Sequence, residues 1–229
     1  MKNLKVGKKL GISFIVLLML TAFANFYALS NLKEARKLSH DLFEGPYDAT
    51  TQSMGVRRDV ASIDGDIMGA IFGDDLQKYK NYAAEDFDSL DERIDKLRDC
   101  FTGDELKIND LENSIAELRQ QYEKIITLVE QGDYKTAKDI ATNSNSEYCQ
   151  VYDKCAEKAV IINDDAQALG IKFDKDVQDT ASKALFISTA LNLFAILSGI
   201  VICLYITKNL KQPIEEIKVA ANKMADGDF

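Results

Sequence analysis

Apolar side chains recur every three or four residues along most of the chain, which is the spacing of one face of an α-helix. No stretch alternates apolar and polar residues over the length of a strand, so the sequence predicts no sheet. Turns that pair Gly with Asp, at Gly73, Gly103 and Gly132, separate the periodic segments. The four predicted helices cover residues 30–72, 75–100, 104–130 and 134 onwards, and a polar stretch at Asn143-Ser144-Asn145 is a place where the fourth could break.

Two segments, residues 10–29 and 184–207, carry no charged side chain. Each is about long enough to cross a bilayer as one helix, since roughly 20 apolar residues cover the hydrocarbon core. A cleaved signal peptide is the alternative for the first segment, but its apolar core would be shorter and would end at a small-residue cleavage site. The cleavage site is poor here, so the sequence favours two retained membrane helices.

Lysines flank both apolar segments. Residues 1–9 form a basic leader that contains lysines and no acid, and Lys208 and Lys211 follow the second segment. Because lysines beside a membrane span tend to stay in the cytoplasm, the sequence predicts a two-pass protein of the inner or plasma membrane with both termini cytoplasmic. Residues 30–183 then form an extracytoplasmic domain, and residues 208–229 lie inside the cell.

Short turns between long amphipathic helices predict that residues 30–183 fold as an all-α, up-down four-helix bundle. Gly45-Pro46 interrupts the first helix, and a kink is expected there. Beyond this point the helix has two stripes. The stripe suited to the bundle core consists of Val56, Val60, Ile63, Ile67 and Ala70. The stripe predicted to contact a second copy of the chain consists of Met54, Arg57, Ala61, Asp64, Met68 and Ile71.

The net charge of the 229-residue chain is −9, and because its ends are not acidic, the middle is strongly acidic. An acidic domain argues against nucleic acid as a partner, since phosphates need a basic surface. The cysteines form no CxxC pair and have no adjacent histidine, and the single histidine, His40, is typical of a helix surface, so no metal site is predicted. The sequence contains no phosphate-binding loop and no recognisable catalytic triad, so we expect no cofactor and no catalysis within these residues.

The last residues carry a pattern of their own. It consists of Pro213-Ile214, Ile217, Ala220-Ala221, Met224-Ala225 and Gly227-Asp228-Phe229, directly behind the second apolar segment. This pattern resembles the first helix of a HAMP domain, the parallel four-helix relay behind the last membrane helix of bacterial sensors. An ordinary amphipathic helix beside the membrane is the alternative. The resemblance implies a truncated HAMP domain at residues 208–229 and an output domain beyond Phe229.

A second resemblance rests on MKNLKVGKKL, on Glu44-Gly45-Pro46-Tyr47 and on Val56-Arg57-Arg58-Asp59-Val60. These segments resemble the start of methyl-accepting chemotaxis receptors with a four-helix-bundle ligand-binding domain. Dimers of that family bind small ligands at the subunit interface, through arginines of the first helix and polar groups of the fourth. The resemblance therefore implies that Arg57 and Arg58 bind a ligand.

Three more candidate residues follow from their level along the bundle. Asp64 shares a stripe with Arg57, and counting down the fourth helix to the same level reaches Tyr148 and Tyr152. The candidate ligand-binding residues are Arg57, Arg58, Asp64, Tyr148 and Tyr152. The alternative is that the arginines pair with Asp59, Asp64 or a neighbouring subunit without any ligand, and that the tyrosines only pack in the core or at its rim.

Together, these observations favour the sensory module of a transmembrane chemoreceptor. The implied partners are a small-molecule ligand or a ligand-loaded binding protein, a second copy of the chain, the membrane, and a cytoplasmic kinase and adaptor reached through the output domain. The sensor half of a membrane histidine kinase or of a cyclic-dinucleotide signalling enzyme uses the same input parts and is the alternative. A purely structural membrane-anchored bundle is a third interpretation.

Overall fold

The computed structural model describes the backbone of residues 6–225 and the side chains of residues 11–208, 211, 214, 215, 217–219, 221 and 222. This part of the chain is helical apart from short turns and contains no strand. The helices are α1 (Val6–Leu42), α2 (Asp48–Phe72), α3 (Leu76–Cys100), α4 (Glu105–Glu130), α5 (Tyr134–Thr142) and α6 (Glu147–Ala225), with a π-helical turn at Phe43–Tyr47. The chain divides into two compact units, at Arg36/Lys37 and at Asp176/Val177.

The unit Lys37–Asp176 is a four-helix bundle, as predicted. Polar contacts join each of the four long helices to the next in a closed ring: Asp59–Arg93, Asp91–Arg119, Glu117–Lys154 and Asp64–Tyr148. Neighbouring helices run antiparallel, because Glu117 of α4 pairs with Lys154 of α6 whereas Lys107, earlier in α4, pairs with Asp165, later in α6. This pairing defines an up-down bundle.

The predicted apolar seams form the core of this bundle. All five residues of the first α2 stripe are buried, and so is the whole α3 seam, Ala83, Phe87, Leu90, Ile94, Leu97 and Phe101. The second α2 stripe divides: Met54, Arg57 and Ala61 are exposed, and Asp64 and Met68 are half-buried. Its prediction was wrong for Ile71, which is 6% exposed and belongs to the core. The short helix α5 packs against α2, and its Ala137 and Ala141 join the same core.

The turns between the bundle helices owe their form to Asp side chains. Asp75, Asp104 and Asp133 each accept a hydrogen bond from a backbone N–H in the first turn of the following helix. Such N-caps satisfy backbone donors that have no partner inside the helix. Gly132, at φ +79°, supplies the left-handed residue that closes α4. The predicted break in the fourth helix is confirmed, since α5 ends at Thr142 and α6 begins at Glu147.

The predicted interruption at Gly45-Pro46 takes the form of a π-helical turn. Pro46 lies inside this turn and is buried. Proline lacks the N–H that a regular helix needs and its ring crowds the preceding turn, so one wider turn relieves both problems. Thr50 follows one turn later and donates its hydroxyl hydrogen to the Pro46 carbonyl oxygen at 2.9 Å.

The second unit is formed by the other parts of α1 and α6. Two helices are long and apolar enough to cross a membrane, within Gly11–Phe72 and Tyr134–Lys208. These contain the predicted membrane segments, and their apolar side chains are largely exposed. Residues 208–225 form the end of α6 rather than a separate helix, since Lys208–Gln212 are mostly good helix formers. Lys2 and Lys5 of the basic leader, and Gly227–Phe229 of the HAMP resemblance, lie outside the described residues.

Candidate functional site

Four of the five predicted site residues come together where the exposed side of α2 meets α6. The Tyr148 hydroxyl donates a hydrogen bond of 2.7 Å to Asp64 Oδ1, and the Tyr148 and Tyr152 ring centroids are 6.4 Å apart. Burial raises the pKa of Tyr152, the charges of Asp64 and Asp153 add to this rise, and the charge of Arg57 opposes it. Asp64, Tyr148 and Tyr152 therefore lie together, and the Arg57 charge acts on Tyr152 without a direct contact; we call these four residues the α2–α6 cluster.

Tyr148 is the buried member of the α2–α6 cluster. It is only 1% exposed and is part of the bundle core. Burial, and then the hydrogen bond to Asp64, raise the pKa of Tyr148 far above its usual value, so the phenol stays protonated and donates. Tyr148 thus fixes the position of the half-buried Asp64 carboxylate, while the half-buried Tyr152 lies at the rim.

Arg57 lies two helical turns before Asp64 on the same face of α2 and is an exposed cation. Its side chain is exposed, and among the described residues it forms no ion pair. Its recorded polar contact is from Nη1 to the Met54 sulfur at 3.8 Å. A guanidinium group in this state offers a planar set of donors that matches a carboxylate or a phosphate.

Arg58 has a different partner. Its Nε and Nη2 atoms donate to Asp59 Oδ1 at 2.9 and 2.7 Å, so its guanidinium group contacts Asp59 instead of the α2–α6 cluster. Asp59 is 1% exposed and also accepts hydrogen bonds from Ser89 and from Arg93 Nε, both at 2.6 Å. The alternative of an ion pair with Asp59 therefore describes Arg58, and Arg57 forms no ion pair with Asp59 or Asp64 within this chain.

The sequence analysis missed Ser89 and Arg93 of α3, which complete the Asp59 site. Burial alone would raise the pKa of Asp59, but the hydrogen bonds from Ser89, Arg93 and Arg58 outweigh it and hold the pKa below its usual value. One available signal was Asp59 itself, an acid one residue before the core position Val60. Another was Gly55, one turn earlier, where a Cβ atom would lie 2.3 Å from Arg93 Nη1.

The comparison with protein families covers the bundle and most of the cluster-bearing part of α6. Residues 3–168 match the family described as a four helix bundle sensory module for signal transduction. No curated protein and no solved structure gives a significant match. The match spans most of the chain and includes all four residues of the α2–α6 cluster. With its up-down bundle and two helices able to cross a membrane, this chain belongs to the four-helix-bundle sensory modules of methyl-accepting chemotaxis proteins.

Proposed function

We propose that this chain is the sensory part of a transmembrane chemoreceptor that detects an extracytoplasmic small molecule. The family is one of sensory modules for signal transduction, and two helices that are long and apolar enough to cross a membrane support a place in the membrane. In the proposed topology the bundle lies outside, both termini lie in the cytoplasm, and α6 leads through the second membrane segment into the start of a HAMP domain. The bundle senses and does not catalyse.

The observation that supports the ligand proposal is that the exposed Arg57, which forms no ion pair among the described residues, shares a face of α2 with the Asp64 carboxylate that Tyr148 holds in place two turns further on. A ligand with a carboxylate or phosphate group would accept from Arg57, and a donor group on the same molecule would face Asp64. Met54 and Ala61 are exposed on either side of Arg57 along α2. A second copy of the chain packed on this stripe would enclose the ligand between subunits, so the proposed receptor is a homodimer.

The experiment is a thermal-shift screen of small carboxylates, phosphates and neutral metabolites against the whole chain in lipid nanodiscs. We expect an anionic ligand to stabilise the chain, and its affinity to fall at least about tenfold in Arg57→Ala, since a charge-assisted hydrogen bond contributes about 1.5–3 kcal/mol. Arg58→Ala is the matched control and should bind normally, because Arg58 contacts Asp59. A ligand that binds Arg57→Ala as tightly as the unchanged chain would place the site elsewhere.

The remaining alternative concerns the kind of output domain that the sensory module controls. A methyl-accepting receptor passes its signal to a cytoplasmic kinase and adaptor, whereas a sensor kinase or cyclic-dinucleotide enzyme carries its own catalytic domain. The proposal of a chemoreceptor rests on the family match. Residues beyond 229 would discriminate, since a long heptad hairpin with methylatable Glu and Gln indicates a chemoreceptor and a His-bearing dimerisation helix indicates a kinase. Sensing through a ligand-loaded binding protein would appear in the screen as a chain that binds no free metabolite.

A further inference from the structure

Two acids lie on the same side of α2, two helical turns apart, and both face α3. Asp59 and Asp66 are separated by seven residues, and both are buried, at 1% and 8% exposed. The α3 residues opposite them, Arg93 and Asp86, are also separated by seven residues. The same helix–helix contact thus repeats one heptad further along. In the first repeat Asp59 is bonded to Arg93, whereas in the second the register places an acid, Asp86, on the turn of α3 opposite Asp66.

In the second repeat, the buried Asp66 carboxylate has neither a hydrogen bond to Oδ2 nor a cation opposite it in the described part of the chain. Its Oδ2 atom is buried and has no hydrogen-bond partner in the described part of the chain. Burial, and then the negative charge of Asp86, raise the pKa of Asp66 to about 6. A buried carboxylate without a cation is unfavourable, and the least costly remedy is to take up a proton.

Among the residues that the structure describes, no lysine or arginine forms an ion pair with Asp66. From α4, Tyr122 faces it, and burial and then the Asp66 charge raise the pKa of this phenol to about 12. Glu130 of α4 is bound to Lys80 of α3 at 2.6 Å. On the neighbouring helices α5 and α6, Lys138 lies over the Phe72 ring and Tyr148 is bonded to Asp64. Arg58 and Arg93 are both held by Asp59.

We propose that Asp66 is a proton-binding site that ties α2 to α3 when the medium becomes mildly acidic. A proton from water binds one carboxylate oxygen of Asp66, which removes the repulsion from Asp86. The new O–H group can then donate a hydrogen bond to an acceptor between α2 and α3. The Asp86 carboxylate is a charged acceptor on α3. The site is independent of the α2–α6 cluster and gives the bundle an input of its own, the proton concentration.

The sign of the effect on stability follows from proton binding. Because the pKa of Asp66 is raised in the folded state, the folded chain binds more protons than the unfolded chain between about pH 4 and pH 7. Stability is therefore gained as the pH falls through about 6 and lost as the pH rises through it. Between pH 8 and pH 5 the folding equilibrium constant should increase about tenfold from this residue alone.

The test is infrared difference spectroscopy of the whole chain in nanodiscs between pH 8 and pH 5, where a protonated carboxyl absorbs apart from a carboxylate. We expect one carboxyl to protonate with a midpoint near pH 6, and no such signal in Asp66→Asn. In Asp86→Asn the midpoint should move to lower pH, because the repelling charge is gone. Asp88→Asn, an exposed acid on the same helix, is the matched control and should leave the midpoint unchanged.

Thermal unfolding provides the second readout. The melting temperature of the unchanged chain should rise as the pH falls from 8 to 5 by more than that of Asp66→Asn, and His40, present in both, cancels in the comparison. A carboxyl signal that persists in Asp66→Asn, or an equal pH dependence of melting in both chains, would overturn the proposal. If Asp66→Asn does not fold, Asp86→Asn decides, since an unchanged midpoint in that variant also overturns it.

Discussion

Asp59 is the most deeply buried charge in the bundle, and its partners explain why it is tolerated there. Arg93 and Arg58 supply positive charge and three hydrogen bonds, and Ser89 donates a fourth. The Arg93 side chain is itself only 18% exposed, so this ion pair is largely shielded from water. Shielding strengthens the attraction, but it also means that either partner alone would be left as an uncompensated buried charge.

The first prediction compares Asp59→Ala with Asp91→Ala. Both acids accept from an arginine of a neighbouring helix, but the Asp91 side chain is 63% exposed. Loss of Asp59 should lower the free energy of unfolding by about 3–5 kcal/mol, because Arg93 is left unpaired. Loss of Asp91 should cost about 0–1 kcal/mol, as for other exposed pairs. Denaturant unfolding of the two variants in micelles measures the difference, and similar losses would show that the Asp59 pair is not the special case described here.

At the residue scale the sequence predicted which positions matter better than what each side chain contacts. Asp64, Tyr148 and Tyr152 were chosen by helical spacing and level, and in the structure Tyr148 bonds to Asp64 and lies near Tyr152. Arg57 was chosen from the family resemblance, and ligand binding by these residues stays a prediction. Arg58 could not be separated from Arg57, because neighbours on a helix differ only in direction and the partner of each depends on the packing of α3. The effect of Asp86 on Asp66 was missed for the same reason, since the sequence of each helix alone does not determine the register between them.

At the scale of elements, the contact between α2 and α3 depends on missing side chains. Gly55 leaves room for the Arg93 guanidinium group, and Gly69 leaves room for the Tyr79 ring, where a Cβ atom would lie 2.2 Å from a ring carbon. These two glycines let α3 side chains lie directly on the α2 backbone. The glycines thus offset their poor helix propensity by allowing close packing.

The second prediction uses two glycines of the same helix. In Gly55→Ala the new methyl group would meet Arg93, which cannot move without breaking its bonds to Asp59 and Gln52. This variant should lose about 1–3 kcal/mol of unfolding free energy, as other overpacked sites do. In Gly65→Ala the methyl group meets no atom within 4 Å, so the variant should gain up to about 1 kcal/mol from helix propensity. Melting temperatures that move in the same direction in both variants would contradict this account.

The helices themselves could be predicted closely from the sequence, and the reasons are local. Apolar spacing located the core faces, and Gly-Asp turns with Asp caps placed the starts of α3, α4 and α5 within a residue. The form of the Pro46 interruption could not be predicted, because either a kink or a π-helical turn can accommodate a residue that lacks a backbone N–H. Ile71 was misplaced, since its spacing fits the outer stripe of α2 but its side chain lies in the core.

At the scale of the whole molecule, α6 contributes residues to both compact units. It runs as one helix from Glu147 to Ala225, and no Pro or Gly occurs between Lys172 and Ser198. A helix without a breaker passes on a displacement or rotation instead of absorbing it. The proposed ligand would need to favour one packing of α6 against α2 by only about 1–3 kcal/mol to act as a signal.

The last prediction tests this route in a full-length receptor. Four glycines inserted after Asp179 should leave ligand affinity of the bundle intact and abolish ligand control of the output, because a flexible segment cannot carry a helix movement. Four alanines inserted at the same place are the matched control, since they add the same length and rotation but keep the helix. Output that responds to ligand in the alanine variant and not in the glycine variant would support transmission through a rigid α6. Ligand control that survives the glycine insertion would mean that the signal travels another way.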